Sequence, residues 1–377
     1  MTNGFEFCDS LGPTKIIHVY EPEINLRGIL VVDNTAAGPS IGGLRMAPDV
    51  SVSECFRLAR AMTLKNAAAG LAHGGGKSVL VGDPKMPIEQ KEVLIRAFAQ
   101  SLRGNRGYIF GPDMGTNEVC MAWIRDEIGV SVGLPREVGG IPLDEIGATG
   151  WGLYHSTRVA AKQCGLDLQG ARVAVQGFGA VGKHAARFLI NDGALLVAAS
   201  DSQGMISNPN GLDVDQLISH KESGQAVSTF SGGQPGKQEA IIDTECDIWI
   251  PAARPDVIND NNVNRLNTRL LIQGANIPCT LSAENTLHER GVLLIPDFIA
   301  NAGGVICAAM EYQGSTQSTA LKAIEEKITL NTEEVLALAQ QENLPPRQAA
   351  TQMAEKRVRK AMTYRRFSSF SSAPNYL

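Results

Sequence analysis

The sequence predicts an α/β protein with two domains, the second built on a doubly wound parallel sheet. Its 377 residues are the usual length of two domains. From about residue 150 onward, apolar runs typical of strands alternate with helical patterns. The glycine-rich stretch GFGAVG lies between the first of these strands and the helix that follows it.

The composition argues against several classes of protein. Hydrophobic residues make up 44% and charged residues 19% of the chain, so sizeable cores are expected and disorder is not. The net charge of -5, with no basic stripe, disfavours nucleic acid and membrane surfaces as partners. No signal peptide or transmembrane run is recognised. Seven scattered cysteines without a CxxC pair indicate reduced thiols in a cytoplasmic enzyme that binds no metal.

The first half of the chain carries strand and helix signals in turn. TKIIHVYEP and LRGILVVDN are β-branched runs that end in turn residues, and they predict two strands. Ser51 and Glu54 have capping-box spacing and predict a helix whose apolar side includes Leu58 and Met62. KSVLVGDP then predicts a strand, and residues 88–103 predict a helix with a charged outer face.

A domain boundary is predicted near residues 139–152, followed by a helix over about 150–164. The strands predicted after it are RVAV, LLVAAS, DIWIPAA, LLIQGAN and VLLIPDFIANAGG, with helices on both faces of their sheet. From about residue 318 the pattern is helical, and the last ten residues are expected to form a loose tail.

The glycine stretch predicts a dinucleotide site. Gly177, Gly179 and Gly182 form G-x-G-x-x-G between a strand and a helix, which is typical of a Rossmann-type domain. These glycines let the backbone approach a pyrophosphate that the helix N-terminus attracts. Asp201 ends the second strand, where a carboxylate binds both adenosine ribose hydroxyls and repels a 2′-phosphate. NAD is therefore the predicted cofactor, although Ser202 leaves NADP open. The alternative is a glycine turn needed only for packing.

Two lysines are candidates for substrate chemistry. Lys65 lies seven residues after Leu58 on the apolar side of its helix, so it needs an anionic partner unless it reaches solvent from the helix end. Lys77 follows Gly74 to Gly76, which are expected to leave room for a ligand. Desolvation and a second lysine nearby would lower the pKa of Lys77 and make it a general base. The alternative for Lys77 is a hairpin-turn lysine.

Asp113 and His73 are further candidates in this half. Asp113 ends the apolar run of YIFGPDMGTN, as at a strand end that opens on a cleft. An aspartate there also commonly caps the next helix, which is the alternative. His73 precedes the glycines and could tune Lys77, but a packing role is the favoured interpretation.

Together the motifs resemble those of the glutamate/leucine/phenylalanine/valine dehydrogenase family. They are GPSIGGLR, MTLKNAAAGLAHGGGKSVLVGDP, GPDMGTNE, ATGWG, VQGFGAVG, GAN and IPDFIANAGGV, in the family's order over roughly residues 30–312. The resemblance implies an N-terminal α/β domain for substrate binding and oligomerisation over 1–144, to which C-terminal helices over 325–377 return. It implies a Rossmann-type dinucleotide-binding domain over 145–324, with the active site in the cleft between the domains.

The resemblance also implies roles for individual residues. Lys65 would bind the substrate α-carboxylate, and Lys77 would activate the water that attacks the imino carbon. Asp113 would carry protons to and from the amino group. The remaining contacts to the cofactor would come from Thr149, Asn276 and Asn301 beside the nicotinamide, and from Phe178, Ala180, Val181 and Ala252.

The reaction so implied is the NAD-dependent oxidative deamination of an L-amino acid to a 2-oxo acid, ammonium and NADH, and its reversal. Family members assemble as hexamers or octamers, so a homo-oligomer is expected. Two other classes compete with this interpretation. A 2-hydroxy acid dehydrogenase would need a histidine–carboxylate or arginine constellation, and a catalytically silent regulatory paralogue would not need intact Lys65, Lys77 and Asp113.

The predicted side-chain pocket departs from the glutamate branch of the family. That branch has a lysine where this chain has Ile41, and a serine where this chain has Ala308. An unpaired carboxylate against these apolar walls would be costly, so leucine-, valine- or phenylalanine-type substrates are favoured. Glutamate is the alternative, because SDSQGMISNPNGLDV and AARPDVIND resemble the glutamate branch. The predicted pocket residues are Ile41, Gly42, Gly43, Gly111, Val305 and Ala308.

Overall fold

The computed structural model describes residues 5–105 and 107–365, which divide into two compact units. Among them, unit 1 contains residues 5–105, 107–143, 305–323 and 351–365, and unit 2 contains residues 144–304 and 324–350. The predicted boundaries assign residues 305–323 to the second domain and residues 325–350 to the first, the reverse of the observed division, while the main boundary near residue 144 is shared. The tail expected over the last ten residues lies outside the described residues.

Unit 1 contains a five-stranded mixed sheet in the order β1-β2-β4-β3-β5. β2 is antiparallel to β1 and β4, whereas β3 is parallel to β4 and β5. Buried leucine, isoleucine and aromatic side chains fill the space between this sheet and α2 and α3. The elements are β1 Lys15–Glu21, β2 Leu26–Asn34, β3 Ser40–Ala47, α1 Val52–Ala68, β4 Gly74–Val81, α2 Ile88–Ser101, β5 Tyr108–Pro112 and α3 Glu118–Ile128.

The start of α1 has the predicted capping geometry. Ser51 has an extended backbone, and its Oγ accepts a hydrogen bond of 3.2 Å from the amide of Glu54. Such a contact satisfies one of the donors that a helix N-terminus leaves unpaired, which typically stabilises the helix by about 1 kcal/mol.

The glycine run before Lys77 lies inside β4, which corrects the expectation that these glycines leave room for a ligand. A Cβ on Gly74 would overlap the carbonyl of Asn34, and one on Gly75 would overlap the backbone of Thr63 in α1. A Cβ on Gly76 would lie 2.9 Å from the side chains of Ser40 and Tyr108. The run therefore allows α1 and the neighbouring strands to approach β4 closely.

Gly75→Ala is expected to destabilise the protein by about 1–3 kcal/mol, because the new methyl group displaces the α1 backbone. Gly111→Ala is the matched control within the same sheet, since its Cβ would stand at an ordinary 3.6 Å from Val132. Thermal melting of both variants checks this. A Gly75→Ala variant as stable as wild type that binds substrate poorly would restore the ligand-clearance interpretation.

Unit 2 contains a seven-stranded sheet in the order β12-β11-β10-β6-β7-β8-β9. The first five strands in this order are parallel, as predicted. The antiparallel β8 and β9, which extend one edge, are not among the predicted strands. Its elements begin with α4 Ala148–Gln163, β6 Arg172–Gln176, α5 Ala180–Asn191, β7 Leu195–Asp201, β8 Gly204–Ser207, α6 Val214–Glu222 and β9 Gln234–Gly236. They continue with β10 Ile248–Pro251, β11 Leu270–Ile272, α7 Leu281–Glu289, β12 Leu293–Ile295 and α8 Asp297–Ala300.

The C-terminal part of the chain is helical, as predicted. The helices are α9 Gly303–Tyr312, α10 Gln317–Glu342 and α11 Pro346–Tyr364. Across the described residues, none of the helices combines the length and apolar character needed to cross a membrane.

Candidate active site

One face of the unit 1 sheet carries several of the predicted substrate and catalytic residues. Side chains alternate between the faces of a strand, so Ile41 and Gly43 of β3 share a face. Ile41 pairs with Gly75 of β4, which places Lys77, two residues further on, on the same face. Gly43 pairs with Gly111 of β5. The structure therefore brings Ile41, Lys77 and these glycine positions together at the point where β5 leads into Asp113.

Lys77 and Asp113 form an ion pair at the centre of this face. Lys77 Nζ lies 2.6 Å from Oδ2 of Asp113. The Lys77 side chain is only 7% exposed and that of Asp113 is 24% exposed, so solvent screens the pair weakly. A Cβ on Gly43 would lie 2.7 Å from the Asp113 Cβ and 3.2 Å from Lys77 Nζ. The absence of a side chain at Gly43 therefore makes room for the Lys77–Asp113 pair, whereas the glycine run before Lys77 does not.

Arg45, which is not among the residues predicted from sequence, is a third member of this cluster. Its Nε donates to Oδ2 of Asp113 at 3.0 Å, and its NH1 group binds Glu54 of α1 at 2.6 Å. Burial by itself raises the pKa of Asp113, but the positive charges of Lys77 and Arg45 outweigh burial and hold this pKa below its usual value. Asp113 is therefore a carboxylate at neutral pH, which is the form that can accept a proton.

The alternative role for Asp113, as the cap of the next helix, is not what the structure shows. The residue that caps α3 is Asn117, whose side chain accepts from the Cys120 amide at 3.2 Å. Asp113 is thus available for the ion pair with Lys77.

Lys65 lies near the C-terminal end of α1, and its side chain is partly buried. Contacts on both sides of Lys65 in the sequence hold α1 against the sheet. Thr63 packs against Gly75 of β4, and Nδ2 of the Asn66 side chain donates to the carbonyl of Gly74 at 2.6 Å. The fully buried face of α1 contains Cys55, Ala59, Thr63 and Asn66, so the predicted stripe through Lys65 runs along the edge of that face.

Helix α9 carries Val305 and Ala308. One turn after Ala308, Glu311 binds the loop over residues 133–141 of unit 1. Glu311 accepts hydrogen bonds from the amides of Gly133 at 2.8 Å, Leu134 at 3.2 Å and Ile141 at 2.8 Å. The loop so held begins beside Val132, which faces the Gly111 position. Ala308 is one helical turn before Glu311 and is buried.

His73 has a packing environment, in line with its favoured interpretation. Its ring is buried and lies edge-on to Tyr312 of α9, with 5.5 Å between centroids. Nδ1 lies 3.1 Å from the carbonyl of Pro39, and burial lowers the pKa of His73 to about 4. The imidazole is therefore neutral at physiological pH.

In unit 2, the three motif glycines meet different surroundings. Gly177 has a φ of +97°, and a Cβ there would crowd Ala253. A Cβ on Gly182 would overlap the carbonyl of Gly177, so this glycine allows α5 to pack closely. Nothing lies within 4 Å of a Cβ on Gly179, the N-cap of α5, where no side chain caps the helix. This open, uncapped helix N-terminus suits a pyrophosphate.

The other residues of the glycine turn continue this arrangement. Ala180 is exposed at the first position of α5 and Val181 is partly buried, while Phe178 is 2% exposed and anchors the turn in the core. Ala252 follows β10 and donates from its amide to the carbonyl of Gln176 at the end of β6. These residues lie at the carboxyl ends of parallel strands, where open α/β sheets bind ligands.

Asp201 has three hydrogen-bond partners within the protein that the sequence pattern does not predict. Its Oδ2 accepts from Lys221 Nζ at 2.7 Å and from the Val227 amide at 3.0 Å, and its Oδ1 accepts from the Gln203 amide at 2.9 Å. Burial raises the pKa of Asp201, but these hydrogen bonds outweigh it and lower the pKa below its usual value. Ser202 beside it is exposed.

The structure also brings together the three residues predicted to flank the nicotinamide. Asn301 Nδ2 donates to Asn276 Oδ1 at 3.0 Å, and Thr149 lies against Gly303 and Gly304 just beyond Asn301. Asn301 is buried, yet its Oδ1 atom has no hydrogen-bond partner among the described residues. An orphaned buried acceptor fits the amide N–H of a carboxamide ligand, so these residues fit a nicotinamide cofactor.

Two family models together match most of this chain. Residues 139–366 match the family model described as glutamate/leucine/phenylalanine/valine dehydrogenase, and residues 16–129 match that of its dimerisation domain. A glutamate dehydrogenase of Aeropyrum pernix is 38% identical over 356 residues, covering 88% of this chain and 85% of that protein. A leucine dehydrogenase of Geobacillus stearothermophilus is 34% identical over 364 residues, covering 94% and 93%.

Among solved structures, the hetero-hexameric glutamate dehydrogenase from Thermus thermophilus in its Leu-bound form is similar to this chain. It superposes with a TM-score of 0.83 at 27% identity, covering 94% of this chain and 91% of that one.

Proposed function

The chain belongs to the glutamate/leucine/phenylalanine/valine dehydrogenase family and is an NAD(P)-dependent amino acid dehydrogenase, and we propose that its substrate is an L-amino acid with an apolar side chain. The products would be the 2-oxo acid, ammonium and NADH. The observation that carries the proposal is Ile41, which is 3% exposed on the same sheet face as Lys77. A substrate carboxylate beside it would lose water without gaining a cation.

The residues of unit 1 divide the chemistry among them. Lys65 binds the substrate α-carboxylate. Asp113, held ionised by its two cations, takes a proton from the substrate ammonium and so frees the nitrogen lone pair to form the C=N bond. When bound, the dinucleotide accepts the hydride that leaves Cα. Lys77, after releasing its own proton to solvent, orients the water that adds to the imino carbon and takes a proton from it, and Asp113 returns its proton to the nitrogen as ammonia leaves.

A screen of the twenty L-amino acids with NAD and with NADP tests this proposal. We expect NADH and ammonium in equal amounts with leucine, valine or phenylalanine as donor. If glutamate alone is oxidised, the apolar assignment fails. If no amino acid is oxidised, the chain is instead the silent regulatory paralogue.

Glutamate is the second candidate substrate, because relatives of both kinds are similar to this chain. Glutamate dehydrogenases of Aeropyrum pernix and Thermotoga maritima are 38% and 36% identical, against 34% for the leucine dehydrogenase. These differences are small, and specificity depends on pocket residues more than on overall identity. Ile41 and Ala308 therefore weigh more in the proposal.

The proposed cofactor is NAD, with Asp201 as the partner of the adenosine ribose. Lys221 neutralises part of the charge that would repel a 2′-phosphate, which supports some use of NADP. The family's dimerisation domain supports a homo-oligomer, for which a hexamer or an octamer is proposed.

Lys221→Met is expected to lower kcat/KM with NADP about tenfold relative to NAD, because the Asp201 carboxylate then repels the 2′-phosphate unopposed. Lys162→Met, which removes an exposed lysine from α4, is the control for the loss of one charge. Steady-state kinetics with both cofactors checks the ratio. A ratio within twofold of wild type would show that Lys221 does not act on the ribose site.

A further inference from the structure

A buried ionic cluster in unit 2 plays no part in the steps described so far. Arg347, in the first turn of α11, reaches two carboxylates. Its Nε lies 2.6 Å from Glu284 Oε2, and its NH2 group lies 2.9 Å from Asp297 Oδ1. The same NH2 group donates to Gln273 Oε1 at 2.7 Å. Both carboxylate side chains are 8% exposed, so the guanidinium neutralises charges that have little access to water.

Asp297 connects this cluster to the loop after β11. While Oδ1 binds Arg347, Oδ2 accepts from the amide of Ile277 at 2.8 Å. Ile277 has a φ of +48°, a conformation that is rare and strained for a β-branched residue. Such a backbone conformation persists only where surrounding contacts hold it, and the Asp297 carboxylate supplies one of them.

The segment held in this way carries the two asparagines proposed for the nicotinamide. Asn276 immediately precedes Ile277. On the other side, the Asn301 amide donates to the main-chain carbonyl of Asp297 at 2.7 Å. The Asn301 side chain then reaches Asn276 Oδ1. Asp297 is thus bonded to both segments that carry the asparagine pair.

We propose that Arg347 is a positioning residue for the nicotinamide end of the cofactor site, acting through Asp297 and the strained Ile277 on Asn276 and Asn301. The guanidinium fixes one carboxylate oxygen so that the other is aimed at the Ile277 amide. The proposal rests on the proposed function in one respect, that the two asparagines contact the nicotinamide. Arg347 lies 70 positions after Ile277, outside both the glycine motif and the two asparagine motifs.

The test compares two ligands that differ at the nicotinamide. NADH and ADP-ribose share the adenosine and pyrophosphate, and only NADH carries the ring. Calorimetric titration of the full chain gives both dissociation constants for wild type, Arg347→Lys and Asp297→Asn. Arg290→Lys is the matched control, since Arg290 is also bonded within unit 2, to the carbonyls of Val263 at 2.8 Å and Leu266 at 2.6 Å.

We expect Arg347→Lys and Asp297→Asn to raise the NADH dissociation constant about tenfold, the effect of losing one charge-assisted hydrogen bond. ADP-ribose binding should stay within twofold of wild type, and Arg290→Lys should change neither constant. If Arg347 and Asp297 only stabilised the fold, their substitution would weaken the binding of NADH and of ADP-ribose alike. Equal weakening, unchanged NADH binding, or failure of both variants to fold with saturating ADP-ribose would each overturn the proposal.

The premise has a separate test. Asn301→Ala in the otherwise native chain should weaken NADH and spare ADP-ribose in the same way. If it does not, the proposed role of the asparagines fails. If it does while the Arg347 and Asp297 variants show no selective effect, only the positioning role is lost. No amino acid enters these titrations, so the substrate assignment does not affect their outcome.

Discussion

Lys77→Ala is expected to lower kcat for amino acid oxidation by about a thousandfold or more. A positioned acid–base group contributes roughly 10²–10⁴-fold to a rate, and the proposed water addition depends on this amine. The Lys77 ammonium is 2.6 Å from Asp113, so its loss also removes one of the two cations that hold Asp113 ionised.

The fold should survive this substitution. Removing one partner of a buried pair costs most when the remaining charge is left without compensation. Here Arg45 Nε stays 3.0 Å from Asp113 Oδ2. Lys91→Ala is the matched control, because Lys91 is a buried lysine of the same unit that donates to the carbonyl of Pro84. Steady-state rates with thermal melting check both variants, and a Lys77→Ala kcat within tenfold of wild type would refute the catalytic role.

The second large effect is expected at the side-chain pocket. Replacing Ile41 with lysine and Ala308 with serine should raise kcat/KM for glutamate relative to leucine by about a hundredfold. The reason is that a desolvated γ-carboxylate then gains a cation and a hydroxyl donor, each worth roughly 1–3 kcal/mol. Ile41 is 3% and Ala308 is 8% exposed, so water would compete weakly with these contacts.

Ile41→Met is the control for this change, because it alters the shape of the same position without adding charge. Its glutamate-to-leucine ratio should stay close to that of wild type. Kinetic constants for both amino acids, measured at one NAD concentration, give the comparison. A folded double variant whose ratio does not move would discredit the pocket assignment.

The dinucleotide-binding half could be predicted in most of its parts from sequence. Its elements follow one another in the order in which they pack, and the glycine pattern is local, so strand, turn and helix are all read from one short stretch. The antiparallel β8 and β9 were missed because GMIS and QPG are short and contain glycine or proline, which carry little strand signal. The protein donors around Asp201 come from residues up to 26 positions later, which no local pattern reveals.

In the substrate half, the candidate reactive residues are assigned from sequence and their roles stay predictions, whereas the packing around them could not be predicted. The role of the glycines before Lys77 depends on what lies opposite each missing Cβ, and that is set by tertiary contacts with α1 and β3. Arg45 was missed because SIGGLRMA, with two glycines, is a weak strand pattern. Its two-residue spacing from Gly43 was the available signal, since alternating residues of a strand share a face.

The most direct test of the proposed specificity is the ratio of kcat/KM for L-leucine, L-valine and L-phenylalanine to that for L-glutamate, measured on the wild-type protein with NAD. The apolar pocket around Ile41 predicts that at least one of the three exceeds glutamate by about tenfold or more, since burying an unpaired carboxylate costs more than 1.4 kcal/mol. A value for glutamate equal to or above all three would contradict it.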